Sequence, residues 1–245
     1  MSASLGLAWA IPEFPPALPD NEVHVWRAEL RLPPECIADL HATLSADEAA
    51  RAARFRFDVD RNDYTVSRAA LRTILGAYLG KTAQELSFTY SLFGKPALVK
   101  TDSPDVRFNL SRSRGLALYA VTLRRTVGVD VEYVDVSVDD ASIVERFFSP
   151  AEVAAWKALS ANVRPEAFFN AWTRKEAFIK AIGEGLSMPL DSFDVTLVPG
   201  EPALITRPSP CSWLLTDLRP KENYAGALVV DGDEWRLRCY EWTAG

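Results

Sequence analysis

The stretch PEAFFNAWTRKEAFIKAIG, residues 165–183, predicts a long amphipathic helix that ends at a glycine. Its apolar side chains recur at steps of three and four residues and form one stripe, at Phe168, Ala171, Trp172, Phe178, Ile179 and Ile182. Lys175 stands in that stripe, one turn after Trp172 and one turn before Ile179. Because a buried ammonium without a partner is costly, Lys175 must either extend its charge to solvent or meet an anion.

A polar face of the same helix lies beside the apolar stripe. Glu176 and Lys180 stand four residues apart and, with Thr173, fall within about 60° of one another around the helix axis. On a solvated surface such a pair is an ordinary ion pair worth about 0.3–0.5 kcal/mol. Beside a cleft, Lys175 together with the adjacent Glu176 would instead suit a pyrophosphate and its metal ion. Both interpretations stay open at this point.

A pair of acidic residues occurs in VGVDVEYV, residues 127–134, which predicts a strand. Side chains alternate along a strand, so Gly128, Asp130 and Glu132 share one face, and the two acids are about 6.5–7 Å apart at Cα. One interpretation is the solvated face of a half-exposed strand. The other is a divalent cation site, because Mg²⁺ usually takes one or two carboxylates together with substrate phosphate oxygens. Gly128 leaves room beside the acids.

Basic residues in the first half of the chain offer local positive charge. A predicted helix near residues 62–79 carries three arginines within about 40° of one another: Arg61, Arg68 and Arg72. They form either a solvated basic face or an anion-binding stripe. Lys95 lies in a predicted turn, and the predicted loop FNLSRSRG, residues 108–115, offers serine hydroxyls and arginines that suit phosphate contacts.

The remaining pattern predicts helices and strands in both halves of the chain. Ser45 with Glu48, and Ser149 before Pro150, mark helix starts. Strands are predicted at 22–30, 115–123, 127–134, 192–198, 211–218, 225–232 and 234–242, with 115–123 and 127–134 forming a hairpin across Arg124–Thr126. Helices and antiparallel strands in each half predict an α+β fold. We predict an N-terminal subdomain at 1–125, with an extended lead-in at 1–20, and a C-terminal subdomain at 126–245.

Composition excludes several classes of protein. A hydrophobic content of 48% with 24% charged residues is typical of a globular protein, and no apolar run approaches the roughly 18–20 residues that span a bilayer. A net charge of −6 and a pI near 5.1 argue against broad nucleic-acid binding. The cysteines, Cys36, Cys211 and Cys239, are widely spaced and form no CxxC motif, which predicts a reduced cytoplasmic protein without structural zinc.

Taken in order, five segments resemble the 4′-phosphopantetheinyl transferases, specifically the larger Sfp-type members. They are FGKPAL, FNLSRS, VGVDVEYV, ERFFSPAE and FFNAWTRKEAFIKAIGEGLSMPLDSF. The most specific part is G-x-D-x-E followed about forty residues later by W-x-x-K-E-A-x-x-K. The resemblance implies a monomeric pseudo-dimer of two similar α+β subdomains that binds coenzyme A in the cleft between them. It also implies transfer of 4′-phosphopantetheine to a serine of an apo acyl or peptidyl carrier protein, with release of 3′,5′-ADP.

The resemblance also implies roles for individual residues. Mg²⁺ would be held by Asp130, Glu132 and Glu176. Glu176 would be the general base, directly or through water, and Lys180 would neutralise the pyrophosphate. Contacts to coenzyme A would come from Lys95, Ser111, Arg112, Lys175, Arg51 and Arg61.

One position departs from the family pattern. Ser111 and Arg112 stand where the family usually has a Ser-His pair that contacts the 3′-phosphate of coenzyme A. Arginine can hold a phosphate in a bidentate contact and stays cationic, so binding can survive, whereas a role for a titrating imidazole cannot. Two alternatives to the transferase remain: another Mg²⁺-dependent phosphoryl-transfer enzyme, and a non-catalytic relative that binds coenzyme A or a carrier protein.

Overall fold

The computed structural model describes residues 8–12, 16–92, 94–99, 105–137, 141–183, 188–207 and 213–244. The elements in chain order are β1 (Glu22–Glu29), α1 (Pro34–His41), α2 (Ala46–Ala52), α3 (Asp58–Leu79), β2 (Phe88–Tyr90), β3 (Pro96–Leu98), β4 (Val106–Ser113), β5 (Leu116–Leu123), β6 (Val127–Tyr133), α4 (Ala141–Phe147), α5 (Pro150–Ala158), α6 (Arg164–Ile182), β7 (Asp194–Val195), β8 (Ile205–Arg207), β9 (Trp213–Leu218), β10 (Tyr224–Asp231) and β11 (Arg236–Trp242). This mixture confirms the predicted α+β class. Of the predicted features, Cys211 and parts of the lead-in lie outside the described residues.

Two sheets form the framework. The first has the strand order β11-β1-β5-β4 and the second has the order β6-β10-β9. Neighbouring strands are antiparallel except for β1 and β11, which pair in parallel from Glu22 with Arg236 to Ala28 with Trp242. The last strand therefore returns to the first sheet, although the predicted division at residue 125 assigns it to the second subdomain.

The predicted hairpin between β5 and β6 is wrong. The turn at Arg114 and Gly115, where φ is 42° and 89°, instead joins β4 to β5 as antiparallel neighbours. After β5 the chain crosses into the second sheet, where β6 pairs with β10. The sequence pattern identified both strands but carries no signal for the partner that each of them finds.

A long helix packs on each sheet. α3 buries Val66, Ala70 and Ile74 against the first sheet, and the left-handed Gly80 ends the helix as predicted. α6 packs on β6 and β10 and ends at the left-handed Gly183, again as predicted. In the described part of the chain, none of these helices is long and apolar enough to cross a membrane.

Gly128 sets the distance between α6 and the second sheet. A Cβ atom at this position would lie 2.0 Å from the carbonyl oxygen of Ala177 and 2.4 Å from the amide nitrogen of Ala181. On the adjacent strand β10, the residues paired with Asp130 and Glu132 are also small and buried: Ala227 and Ala225. The helix backbone therefore lies directly on β6, and the space that the sequence suggested beside the acids is filled by α6.

Each half of the chain has the same capping arrangement at the start of a short helix. Glu48 closes a capping box with Ser45 at the start of α2, and Glu152 does the same with Ser149 at the start of α5. Both glutamates are buried, and both accept hydrogen bonds from cationic side chains of the long helix that follows. This repeated arrangement supports the description of the chain as two similar subdomains.

Candidate active site

A cleft of about 530 Å³ lies between the two halves. Its walls are formed by α3, the β2–β3 turn and β4 on one side and by the C-terminal half of α6 on the other. Residues that the sequence singled out lie on both walls: Arg51, Lys95, Arg112, Glu176 and Lys180. The side chains of the predicted site thus converge from segments far apart in the chain.

The segment predicted as a loop at residues 108–115 is mostly strand β4, and its odd-numbered side chains face β6. The side-chain oxygen of Asn109 accepts a hydrogen bond from the backbone N–H of Val129 at 2.8 Å. Ser111 Oγ donates to Asp130 at 2.7 Å, and Ser113 Oγ donates to Glu132 at 2.7 Å. Three polar side chains therefore join the edges of the two sheets and hold both acids.

Asp130 is buried beside Lys180, a residue that lines the cleft. Its Oδ1 accepts a hydrogen bond from Lys180 Nζ at 2.6 Å, and the same ammonium lies 2.9 Å from Ser111 Oγ. Its Oδ2 is buried and has no hydrogen-bond partner among the described residues. A buried carboxylate oxygen without a partner is costly, so this atom fits a cation brought by a ligand.

The other two carboxylates hold their protons more tightly than usual. Burial, and then the nearby Asp130 charge, raise the pKa of Glu132 to about 7. Burial and Asp130 also raise the pKa of Glu176, which faces the cleft. Three acids that disfavour one another's charges fit a divalent cation, which relieves the repulsion. Among the described residues, no three side chains of ligand type form a group that could hold a metal ion as they stand. For all three acids to bind one cation, their side chains would have to move closer together, and oxygens of a ligand would complete the site.

Two arginines that line the cleft lie near the same aromatic ring. The guanidinium carbon of Arg112 lies 5.4 Å from the ring centre of Tyr64, and that of Arg51 lies 5.6 Å from it. Neither guanidinium forms an ion pair with a carboxylate in the described part of the chain, although Asp63 is near enough to favour the charge of Arg112. Both cations therefore keep donors for an anion. Ser111 and Arg112 project from opposite faces of β4, so the expected joint contact of their side chains with one phosphate does not fit this geometry.

Lys95 closes the C-terminal end of α6. Its ammonium donates a hydrogen bond to the carbonyl oxygen of Lys180 and lies 3.5 Å from that of Ala181. These carbonyls have no partner within the helix, and a cation is favourable there. Burial, and then the charge of Lys180, lower the pKa of Lys95 to about 8. Lys95 thus fastens the turn of one half to the helix of the other at the edge of the cleft.

The three arginines of α3 form neither a continuous solvated basic face nor an anion-binding stripe, the two alternatives that the sequence left open. Arg61 pairs with Asp58 at 2.5 Å on the exposed first turn and does not line the cleft. Arg68 and Arg72 are buried and donate to the two carboxylate oxygens of Glu48. Only Arg68 reaches the cleft. Helical periodicity placed the three on one side but could not show that α2 supplies a buried anion there.

Lys175 requires a correction. Its ammonium is fully buried and donates to Glu152 at 2.8 Å and to the carbonyl oxygens of Leu190 and Phe193 at 2.7 Å each. It lies 4.4 Å from the ring centre of Phe193. Lys175 therefore neither reaches solvent nor faces the cleft, because the anion that it meets is the capping-box glutamate of α5.

Several residues of the cleft were not predicted as site residues. Tyr64, Tyr90 and Asn109 line it beside the basic groups. Tyr64 lies on α3, the helix that also carries Arg68. Its position four residues before Arg68 was the available signal, because residues at that spacing share a helix face.

Comparison with protein families finds two matches that together cover most of the chain. Residues 126–229 match the model described as the 4′-phosphopantetheinyl transferase superfamily, and residues 34–123 match 4′-phosphopantetheinyl transferase, N-terminal. The 4′-phosphopantetheinyl transferase HetI of a Nostoc species is 40% identical over 91% of this chain and 93% of its own length. The 4′-phosphopantetheinyl transferase Sfp of Bacillus subtilis is 30% identical over 63% of this chain and 66% of its own.

Comparison with solved structures finds smaller proteins. A holo-(acyl-carrier-protein) synthase from Bacillus anthracis, in complex with CoA (3′,5′-ADP), has a TM-score of 0.38 and 19% identity, and the match covers 44% of this chain and 96% of that one. The holo-[acyl-carrier-protein] synthase of Thermotoga maritima has a TM-score of 0.36 and 23% identity, over 44% of this chain and 63% of that one.

Replacing Lys175 tests its structural role. Lys175→Met leaves the Glu152 carboxylate buried without its cation, so we expect the free energy of unfolding in urea to fall by about 3–5 kcal/mol. Lys157→Met is the matched control, because Lys157 pairs with Glu145 on the exposed side of α5, and it should change stability by less than about 0.5 kcal/mol. The double variant Glu152→Gln/Lys175→Met should recover part of the loss. Equal stability of the two single variants would contradict the placement of Lys175.

The raised pKa of Glu132 predicts a pH dependence of stability when divalent cations are removed with EDTA. The folded state keeps this proton up to about pH 7, whereas an unfolded chain releases it near 4.5. Folding is therefore disfavoured increasingly between these pH values, by up to about 3 kcal/mol above them. In Glu132→Gln the titration is absent, so the stability of the wild type relative to this variant should decrease from pH 4.5 to 7. Parallel stability curves would show that Glu132 titrates normally.

Proposed function

The chain belongs to the 4′-phosphopantetheinyl transferase superfamily, and we propose that it transfers 4′-phosphopantetheine from coenzyme A to a serine of an apo acyl or peptidyl carrier protein. The observation that carries the proposal is the arrangement of charges in the cleft. Asp130 with Lys180, beside Glu176, forms one charged group, and Arg51 with Arg112 forms another beside Tyr64, where neither arginine has a carboxylate partner among the described residues. A pyrophosphate and a separate phosphate monoester, as in coenzyme A, match these two groups.

In the proposed reaction the serine oxygen attacks the phosphorus that bears pantetheine. A new P–O bond forms to the serine, the bridging P–O bond of the pyrophosphate breaks, and 3′,5′-ADP leaves with the electron pair. The serine proton passes to a base. Such a transfer depends on positioning and on neutralisation of charge, so a site without a covalent nucleophile suffices.

Glu176 is the proposed base. Its carboxylate lies in the cleft, accepts no hydrogen bond from another residue that the structure describes, and has a raised pKa that favours uptake of a proton. Lys180, one turn further along α6, would neutralise the pyrophosphate and the leaving group. Ser111 donates to Asp130 and lies beside Lys180, so its proposed role is to orient these two side chains.

Mg²⁺ is proposed as the metal, held by Asp130, Glu132 and Glu176 together with oxygens of the ligand. When bound, it would neutralise the phosphate oxygens and reduce repulsion of the incoming serine. The Oδ2 atom of Asp130, buried without a partner among the described residues, supports this assignment. Ser113 orients Glu132 through its hydroxyl.

Binding of the nucleotide end is assigned to the part of the cleft around Tyr64. Arg51 and Arg112, both near the Tyr64 ring, are proposed to hold the 3′-phosphate. The Lys95 ammonium lies near enough to leave the helix carbonyls and bind a phosphate or the adenine base of coenzyme A instead. Both walls come from one chain, which supports a monomeric enzyme, and the free thiols of Cys36 and Cys239 support a reducing, cytoplasmic location.

The function is tested by incubating the protein with coenzyme A, Mg²⁺ and apo carrier proteins from fatty-acid, polyketide and peptide synthases. Intact mass should increase by one phosphopantetheine, with release of 3′,5′-ADP. Glu176→Gln should lower the rate by roughly 10²–10⁴-fold without loss of folding. Glu166→Gln is the control on the same helix, because Glu166 pairs with Arg219 at the surface. It should keep the wild-type rate.

Other outcomes of the same assay separate the alternatives. No mass increase on any carrier would contradict the transferase. Release of inorganic phosphate from nucleotides without a carrier would indicate a different phosphoryl-transfer enzyme, and binding of coenzyme A without transfer would indicate a non-catalytic relative. A near-normal rate in Glu176→Gln would remove only this residue from the mechanism.

A further inference from the structure

The connection from α2 to α3 exposes apolar side chains beside the cleft. Phe57 is 58% exposed and Val59 is 48% exposed, although both belong to residue types that are usually buried. They stand in a short segment, residues 51–61, that we term the basic shoulder. An exposed aromatic ring with an exposed valine two residues away is a feature of surfaces that bind another protein.

The basic shoulder differs in charge from the rest of the protein. It carries four arginines against two aspartates, a net charge of +2 in a chain of −6. Arg54 and Arg56 are exposed, and neither has an ion-pair partner in the described ranges. An acidic partner is repelled by the protein as a whole and attracted at this place, so the shoulder would select where such a partner binds.

The shoulder is attached firmly to the wall of the cleft. Phe55 packs against Tyr64 with ring centres 5.4 Å apart, and the guanidinium of Arg112 lies 5.9 Å from the ring of Phe55. Phe57 precedes Tyr64 by seven residues, which is about 10 Å along a helix. A protein seated on the shoulder would therefore stand at the mouth of the cleft.

We propose that the basic shoulder is the docking surface for the carrier protein, with Phe57 and Val59 against an apolar patch of the carrier and Arg54 and Arg56 against acidic side chains around it. This inference rests on the proposed function, because the docked protein must present a serine to Glu176. It adds the place of contact and the chemistry of the partner: an acidic surface with an apolar centre.

Two other occupants fit the shoulder less well. Coenzyme A is bound inside the cleft in the proposed function, and none of Arg54, Arg56 and Phe57 lines it. A second copy of this chain, paired by a two-fold axis, would place one basic shoulder against the other, and like charges disfavour such an interface. Neither objection applies to an acidic carrier protein.

The proposal is tested by steady-state kinetics with an apo carrier protein that the wild type modifies. Arg54→Glu and Phe57→Ser should each raise the KM for the carrier by roughly three- to tenfold, while the KM for coenzyme A and the kcat stay within about twofold. Added NaCl should raise the carrier KM of the wild type, and less so that of Arg54→Glu, because salt screens the attraction.

Matched controls lie on or next to β11, the edge strand of the first sheet opposite to β4. Arg236→Glu on β11 makes the same change of charge as Arg54→Glu, and Ile11→Ser removes an apolar side chain that is 70% exposed. Both should leave the carrier KM unchanged.

Four outcomes would overturn the docking proposal. The first two are an unchanged carrier KM in both shoulder variants and an increase of the carrier KM in the controls as large as in the shoulder variants. The third is an increase of the KM for coenzyme A in place of the KM for the carrier. The fourth is a sedimentation coefficient that changes in the shoulder variants without any carrier present, which would indicate self-association. Because the wild type must first modify the carrier, failure of the proposed function is seen before any variant is compared.

Discussion

The contact between the backbone of α6 and strand β6 is the constraint on which the site depends. Glycine is the only residue type that allows this contact at position 128, since any Cβ there would overlap the helix backbone. With the helix this close, Lys180 reaches Asp130 directly and Glu176 opens into the cleft. Gly128 thus allows the acids of β6 and the Glu176–Lys180 pair of α6 to form a single charged cluster.

Ion pairs of two buried cations fix the rotation of α6 about its own axis. Arg174 donates to both carboxylate oxygens of Asp217, at 2.8 and 2.6 Å, and the next residue, Lys175, pairs with Glu152. Rotation by one residue would leave both cations buried without partners, which costs several kcal/mol. The side chain that follows them, Glu176, is held toward the cleft as a result. The first half uses Glu48 in the same manner to hold α3.

Much of the framework and the main cluster could be predicted from the sequence. The capping boxes, the glycines that end α3 and α6, and the G-x-D-x-E strand are local signals, and each of them produced its element. Asp130, Glu176 and Lys180 do meet at the cleft. The pairing of β5, the return of β11 and the partner of Lys175 depend on contacts between distant segments. Periodicity shows the direction of a side chain but not what lies opposite it, so it could not predict that Lys175 and Arg72 each bind a buried glutamate of the preceding short helix.

The close contact at Gly128 is tested most directly by the free energy of unfolding of Gly128→Ala in urea. Gly226→Ala is the matched comparison, because a Cβ there stays at least 3.1 Å from its neighbours on the adjoining strands. We expect Gly128→Ala to lose at least about 3 kcal/mol, because helix and strand must move apart, and Gly226→Ala to lose about 1 kcal/mol. Similar stabilities of Gly128→Ala and the wild type would contradict the position of α6 on β6 and with it the assembly of the site.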